Sequence, residues 1–573
     1  MSRLAGVFYF DFRPVLAAGP FANGGGPLFT APGVAMIRGT VSPAGNACAV
    51  DGRLDDGGAG SGAECPAATL AAAYERSGVA GLRPLVGDWS AALWDAGRRS
   101  VVLASDYAGI RPLYFCREAG RLLWSSSLAE LVRWSGASRL DEQYAGRFLL
   151  RGSVAFRTPY AGIEPVTPGE AVAISAEGIR RERFWDVPAD RDVRLRADAD
   201  YEERLLELFR EGVAARVRGH ARVAAEVSGG LDSSSVASMA ARLGTDLTTF
   251  SYTDAETAED KFFSLVERYC GRPAVHLPLS DLAFAAPDQT GGAAPAYWEP
   301  RYRGLAAQLN RLGATALLTG QFGDFAMGNL QDDSDQVARY LRRGHLGAAG
   351  REAYAWSQAL RVPIYPILWR ALRLAFSQWT PGLTEELSPV MLTSPAASDS
   401  LSPTLRPRLE PPDSRRELSW RSAPPECRRR FRALAEMLQA RTLQTPEALL
   451  PFAYAHPFAH RPLVEFAMSI PPGQLCRPGE PRRLMRRAFA GLLPEPVLKR
   501  RSKGDYGPVF RRALVPMAHA MLRDVKGIRI VEMGFADRES LVARLERYTQ
   551  GLECNEAQLR HMILFEFWVR EAW

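Results

Sequence analysis

Over roughly the first 185 residues, hydrophobic and polar positions alternate in short runs: 6–12 (GVFYFDF), 89–95 (WSAALWD), 100–106 (SVVLASD), 112–116 (PLYFC) and 121–127 (RLLWSSS). Gly, Asp and Arg turns separate them. A period of two predicts strands, and this spacing predicts stacked antiparallel sheets. The segment 187–200 (VPADRDVRLRADAD) is charged and lacks apolar periodicity, so a domain boundary is placed there. The period then becomes helical, with Leu205, Leu206, Phe209, Val213 and Val217 on one face of a helix predicted from Tyr201 to Arg218. A strand at Val223–Val227, a Gly/Ser loop, a helix at Ser235–Leu243 and a strand at Leu247–Tyr252 make a βαβ unit of a parallel sheet. Thr315–Thr319 reads as a third strand ending in a glycine turn. Nine prolines within 381–425 predict an irregular or mobile excursion, and helical character returns from Cys427. The apolar run Ile364–Phe376 carries Arg370 and Arg373; it reads as a core or cleft helix, with a peptide-holding or partner surface as the alternative.

Composition narrows the class. At 573 residues, 47% hydrophobic and 24% charged, the chain is globular, long enough for two to four domains, and neither disordered, collagenous nor a disulfide scaffold. Its formal net charge of +7 is concentrated. Between Arg477 and Lys503 stand nine basic residues (Arg477, Arg482, Arg483, Arg486, Arg487, Lys499, Arg500, Arg501, Lys503) against Glu480 and Glu495, and the rest of the chain balances. Aromatics are not interleaved with these arginines, so a nucleic-acid stacking platform is not expected. Seven scattered cysteines without a Cys-x-x-Cys pair, and no long apolar run or signal-peptide pattern, give the expectation of a reduced, cytoplasmic protein without a membrane span. His456 and His460 are four apart, but Pro457 interrupts them and no Glu follows His456, which argues against a zinc pair.

The segment richest in chemistry is Ser228-Gly229-Gly230-Leu231-Asp232-Ser233-Ser234, between a strand and a helix N-terminus. Backbone N–H groups and the helix dipole there form an anion cradle, and glycines let the main chain approach phosphates. An acid in that cradle makes sense when Asp232 holds a Mg²⁺ bridging phosphate oxygens. The loop is not a Walker A motif, because no Gly-Lys-Ser/Thr closes it.

These residues resemble the pyrophosphate loop of N-type ATP pyrophosphatases, and more narrowly the asparagine synthetase family. Thr319-Gly320-Gln321-Phe322-Gly323-Asp324 looks like that family's second acidic turn. Pro457-Phe458-Ala459-His460-Arg461-Pro462-Leu463-Val464-Glu465-Phe466 resembles a family helix, and Arg501-Ser502-Lys503-Gly504-Asp505 its lysine loop. The resemblance implies an α/β chain with two parts. Residues 1–190 would form an Ntn-hydrolase-like antiparallel β-sandwich, a degenerate glutamine amidotransferase domain. Residues 200–573 would form an adenine-nucleotide α-hydrolase-like domain with a parallel sheet and helices. It further implies that Ser228, Gly229, Gly230, Leu231, Asp232, Ser233, Ser234, Tyr252, Thr319 and Gly320 bind ATP, and that Asp232 and Asp324 hold Mg²⁺. Lys503 would act with those aspartates in catalysis, stabilising charge on the α-phosphate and then on the tetrahedral oxyanion.

The amidotransferase resemblance rests on Gly87-Asp88-Trp89-Ser90, Leu93-Trp94-Asp95 and Asp106 through Tyr114. That domain normally uses an N-terminal cysteine, whereas position 2 is Ser2 and the first cysteine is Cys48. Glutamine is therefore not expected to supply the amine. Gln321 stands where the family places an acid or a tyrosine, and an amide cannot accept a proton as a carboxylate does.

With Leu475–Glu480 and Leu484–Phe489, the chain most resembles lasso peptide cyclases. The function this implies is adenylation of an Asp or Glu side chain in a linear core peptide and attack by its N-terminal amine, with a leader peptidase and a leader-recognition protein as partners. The alternatives are an asparagine synthetase-like or β-lactam synthetase-like ligase using ammonia or a small amine, and a non-catalytic scaffold binding through 477–503. Four arginines at 482, 483, 486 and 487 repel one another unless acids or phosphates face them, so some are expected near the ATP cleft or peptide path.

Overall fold

The computed structural model describes residues 4–15, 28–55, 65–152, 154–254, 259–279, 292–295, 299–328, 335–376, 400–410, 418–501, 507–552 and 556–573. Alternating runs of the first part build two six-stranded antiparallel sheets. One runs Ile163–Pro165, Tyr114–Arg117, Arg121–Ser125, Ala5–Tyr9, Val34–Ile37, Leu28–Ala31. The other runs Ile179–Arg183, Glu170–Ile174, Ser100–Ser105, Gly87–Asp95, Ala47–Leu54, Thr40–Val41. Phe8, Met36, Phe115 and Trp124 of the first sheet interlock with Ala49, Trp94, Leu103 and Ile174 of the second in one buried cluster, as two facing apolar surfaces require.

The second sheet is covered on its outer face too. Every residue of Gly87–Asp95 is buried, because Trp89, Ala91 and Leu93 pack in a core that also holds Leu70 and Tyr74 of the helix Pro66–Ser77 and Phe209, Phe458 and Leu463 from the later part of the chain. The strand is thus buried on both faces, although its sequence alternates as a half-exposed strand's would.

The later part is built on a five-stranded parallel sheet in the order Ala274–Pro278, Leu247–Thr253, Val223–Glu226, Ala316–Leu318, Ala453–Ala455. The three expected strands form its centre. The outer two, Ala274–Pro278 and Ala453–Ala455, were not expected; one is exposed at alternate positions and the other has only three residues, too few to show a period. The helix after the Gly/Ser loop starts at Leu231 and not at Ser235, since Gly230 in an extended conformation already begins the first turn. The predicted helix near Tyr201 spans Asp198–Val217.

Of the proline-rich excursion, 381–399 and 411–417 lie outside the described residues. The described remainder is irregular apart from short turns, and it is packed: Leu401 and Leu405 are buried in a core shared with the C-terminal helix, and Leu401 bridges Ala536. That helix, Glu556–Ala572, returns to the first part of the chain, where Phe565 and Trp568 join Tyr144 and Phe148 of the helix Glu142–Arg151. The apolar helix Ile364–Ala375 buries Ile367, Ala371 and Ala375 while Tyr365 and Trp369 face solvent.

Candidate active site

The Ser228–Ser234 loop lies at the carboxyl end of the central strand Val223–Glu226, where ligands of open α/β sheets sit. Gly229 has φ 70°, and a Cβ there would lie 2.5 Å from Cβ of Phe262, so the loop can bend only with glycine. The Ser233 hydroxyl accepts from the Ser228 N–H at 3.0 Å and bonds the Ser228 hydroxyl at 2.9 Å, closing the loop on the first turn of the helix Leu231–Arg242. No side chain caps that helix at Gly230, which leaves its first N–H groups to an anion.

Thr319, Gly320 and Gln321 follow the neighbouring strand Ala316–Leu318. A Cβ on Gly320 would run into the backbone of Ser233, and one on Gly323 into the Asp232 carboxylate. These glycines let the two turns touch, which brings Asp232 and Asp324 to a common point. What stands between them is Arg482: it donates to Asp232 Oδ1 at 2.5 Å and pairs with Asp324. Arg482 is 5% exposed and has φ 55°.

Two carboxylates converging on one cation are a hard-oxygen donor set of the kind Mg²⁺ takes, with phosphate and water supplying its remaining ligands. Among the described residues no group of three or more His, Cys, Asp or Glu could hold a metal unaided. The pair therefore fits a cation that arrives with a nucleotide.

Beyond the acids, Gln321 donates from Nε2 to the Tyr454 hydroxyl at 2.7 Å, and its backbone N–H donates to Thr319 Oγ1 at 3.2 Å. Thr319 Oγ1 lies 2.7 Å from Nδ1 of His456, whose Nε2 lies 3.1 Å from the Leu443 carbonyl. A carbonyl can only accept, so Nε2 carries the hydrogen and Thr319 donates to Nδ1. Burial pushes the His456 imidazole down to about 4. His456 is a structural link between strands and not half of a metal pair. Tyr252 donates to Glu226 Oε1 at 2.7 Å, Arg301 donates to the same oxygen at 2.5 Å, and its guanidinium stacks 4.5 Å from the Tyr252 ring. Tyr252 lies near the carboxyl end of the strand Leu247–Thr253, with its hydroxyl committed to Glu226. Sequence reasoning missed Glu226, Arg301 and Tyr454; the acid inside the apolar run Val223–Val227 was the available signal.

Of the clustered arginines, Arg482 reaches the acidic pair. Arg483 and Arg487 bond Asp198 at 2.9 and 2.8 Å, and Arg487 also pairs with Glu202. Hydrogen bonds from Gln474 and these two arginines hold the Asp198 carboxyl well below the usual range. Arg486 donates to the carbonyls of Pro481, Leu498 and Arg500. Three of the four therefore brace the fold, and one, Arg482, lies at the acidic turns, in line with the expectation that some of them stand near the cleft. Arg500 pairs with Glu259 at 2.5 Å, donates to the Gly229 carbonyl at 3.2 Å and stacks 3.9 Å from Phe262, so the basic stretch is tied to the loop. Lys503 lies outside the described residues, as does Ser2.

The first part of the chain meets this region through Arg111. Its Nη2 donates to both carboxylate oxygens of Asp51 at 2.8 and 3.0 Å, and its guanidinium also donates to the Leu450 and Phe452 carbonyls. Cys48 is fully buried in the second sheet, and burial pushes its thiol far above the ordinary range, so it is no substitute nucleophile.

A glutamine amidotransferase domain model matches residues 54–185. Amidase chyE of Penicillium rubens is 33% identical over 180 residues, which are 30% of this chain and 26% of that protein. Glutamine-hydrolyzing asparagine synthetase 3 of Bacillus subtilis is 28% identical over 162 residues, 27% of this chain and 26% of its own. The chain thus aligns with about a quarter of the length of these relatives. Among solved structures, the glutamine phosphoribosylpyrophosphate amidotransferase from B. subtilis aligns over 55% of this chain and 68% of its own at 13% identity, with a TM-score of 0.22, too low for anything to be carried over. The asparagine synthase model, by contrast, matches residues 204–570, more than half of the chain and all of the parallel sheet with its two acidic turns. On that match, the chain belongs to the asparagine synthase family.

Proposed function

We propose that this chain is an ATP-dependent carbon–nitrogen ligase that closes a macrolactam in a ribosomally made peptide, as lasso peptide cyclases do. An Asp or Glu side chain of a linear core peptide attacks the α-phosphorus, pyrophosphate leaves, and the peptide's N-terminal amine then displaces AMP. The observation that carries the reading is the meeting of Asp232 and Asp324 beside the Ser228–Ser234 loop, in a chain whose amidotransferase-like part has its first cysteine, Cys48, buried.

In this reading the loop and the N-terminus of Leu231–Arg242 hold the phosphates, with Gly229 and Gly230 admitting them and the Ser228, Ser233 and Ser234 hydroxyls donating. Asp232 and Asp324 would hold Mg²⁺, which when bound neutralises charge on the departing pyrophosphate. Lys503 is assigned to the α-phosphate and the oxyanion. Intramolecular capture has a physical advantage here, because amine and acyl group held on one peptide avoid a bimolecular step. A leader peptidase and a leader-recognition protein are the expected partners.

Incubation with ATP, Mg²⁺ and a candidate linear peptide should give AMP, pyrophosphate and a product one water lighter, read by mass spectrometry. Release of ADP, or full activity in Asp232→Ala, would overturn the assignment. The match to asparagine synthetase 3 supports a second reading, a ligase using ammonia or a small amine. ATP–pyrophosphate exchange stimulated by free aspartate, without any peptide, would select it.

A further inference from the structure

Among the described residues, the groups around Gln321 include no free proton acceptor. His456 uses both ring nitrogens, one toward Thr319 and one toward Leu443, and its burial keeps it neutral. Glu226 is held by Tyr252 and Arg301. Asp232 and Asp324 face Arg482. Tyr454 is 4% exposed, receives the Gln321 amide, and is pushed well above the ordinary phenol range by burial next to Tyr302 and Glu226, which keeps it protonated. Gln321 has no charge to offer, and with Nε2 committed to Tyr454, its Oε1 is the atom left to meet a substrate N–H.

We infer that Gln321, oriented by Tyr454, is a neutral docking group for the attacking amine, which must enter already deprotonated, so that the site selects an α-amine over a lysine-type ε-amine. This rests on the ligase reading above. The step balances without an enzyme base. The amine lone pair forms the C–N bond, the acyl C–O bond to AMP breaks with its electrons going to the phosphate, and the extra proton on nitrogen passes to water or to the departing AMP. Selectivity then follows from the amines themselves. At pH 7.5 an α-amine of pKa about 7.8 is roughly one-third free base, whereas a lysine amine near 10.4 is about one part in a thousand. Two orders of magnitude of preference come from protonation alone. A carboxylate at position 321, far less basic than either amine, could not take that proton and would hold the ammonium form as an ion pair instead. Gln321 is here a catalytic residue for the second half-reaction, and Tyr454 a positioning residue.

The test is single-turnover amide formation as a function of pH, with ATP–pyrophosphate exchange measured in parallel and thermal melting to confirm folding. The amide-forming rate should rise tenfold per pH unit and level off at the peptide amine's own pKa, near 8. Replacing the N-terminal residue by one bearing a more basic amine should move that midpoint upward with it. Gln321→Glu should move the midpoint upward and lower the rate at neutral pH, because the carboxylate favours the protonated amine. Gln321→Leu and Tyr454→Phe should each lower the amide-forming rate about tenfold, the worth of one lost hydrogen bond, and leave the midpoint in place. A midpoint that ignores the amine's basicity, or a Gln321→Leu enzyme as fast as the parent, overturns the inference. Absence of peptide-dependent pyrophosphate exchange would instead overturn the ligase reading itself, so the two failures are distinguishable.

Discussion

Arg482 holds a full charge between two carboxylates, one of which, Asp324, is 38% exposed at its side chain. Removing it takes away a cation that both carboxylates share. Arg482→Met should destabilise the nucleotide-free protein by about 2–3 kcal/mol, below the ~3–5 of a fully buried pair because solvent screens Asp324. Millimolar Mg²⁺ without ATP should recover more of the melting temperature in the variant than in the parent, since the ion takes the place the guanidinium held; equal recovery in both would reject this placement. Gly320 offers a second test. Gly320→Ala forces the Thr319–Gln321 turn off the Ser233 backbone and should abolish ATP–pyrophosphate exchange with little change in secondary structure by circular dichroism. The two aspartates were legible in the sequence as members of loops whose chemistry is written in their neighbours. The placement of Arg482 was not, because a guanidinium in a basic run reads the same whether it points at solvent or turns back through a left-handed residue.

Among elements, the short strand Ala453–Ala455 does more than extend the sheet. Tyr454 reaches Gln321, and His456, one residue past its end, fixes Thr319. An imidazole buried neutral is stable only while it stays neutral. Its ordinary value is about 6.5 and its value in the fold about 4, so between these the unfolded chain binds a proton that the folded one does not. This contribution is present above pH 6.5 and is lost as pH falls toward 4, about 3 kcal/mol in all at 1.36 per unit. Urea midpoints measured from pH 7 to 4 should fall, and His456→Gln should flatten the slope by close to one proton; an unchanged slope would place the acid sensitivity elsewhere. The central strands, the loop and the helix after it were readable from period and glycine placement. The strand at 453–455 was hidden because three residues beside two prolines show no period, and it exists only through its pairing with Ala316–Leu318.

At the scale of the molecule, the two parts of the chain share their cores instead of abutting. Trp89 and Leu93 are buried with Phe458 and Leu463, and Tyr144 and Phe148 with Phe565 and Trp568. Tyr107 donates to the Ala459 carbonyl at 2.5 Å, and Arg216 bonds Asp88 at 2.7 Å. Calorimetry should therefore show one cooperative transition, and Arg111→Met, which strands the buried Asp51, should lower it as a unit without splitting it. Two separated peaks would mean the parts unfold independently. Charge patterning around 187–200 could not reveal that apolar surfaces on either side of it close over each other.

Arg111 and the main chain beside it also grip the segment that leads to the site: Arg111 bonds the Leu450 and Phe452 carbonyls, and the Ile110 carbonyl receives both the N–H and the hydroxyl of Thr445. The amidotransferase-like part of the molecule thus acts as the jig in which residues 445–459 are set. For anyone building chimeras, the seam does not fall at the linker: an N-terminal half taken from another relative has to bring its own 445–459 with it, or Tyr454 and His456 lose the frame that aims them at Gln321 and Thr319.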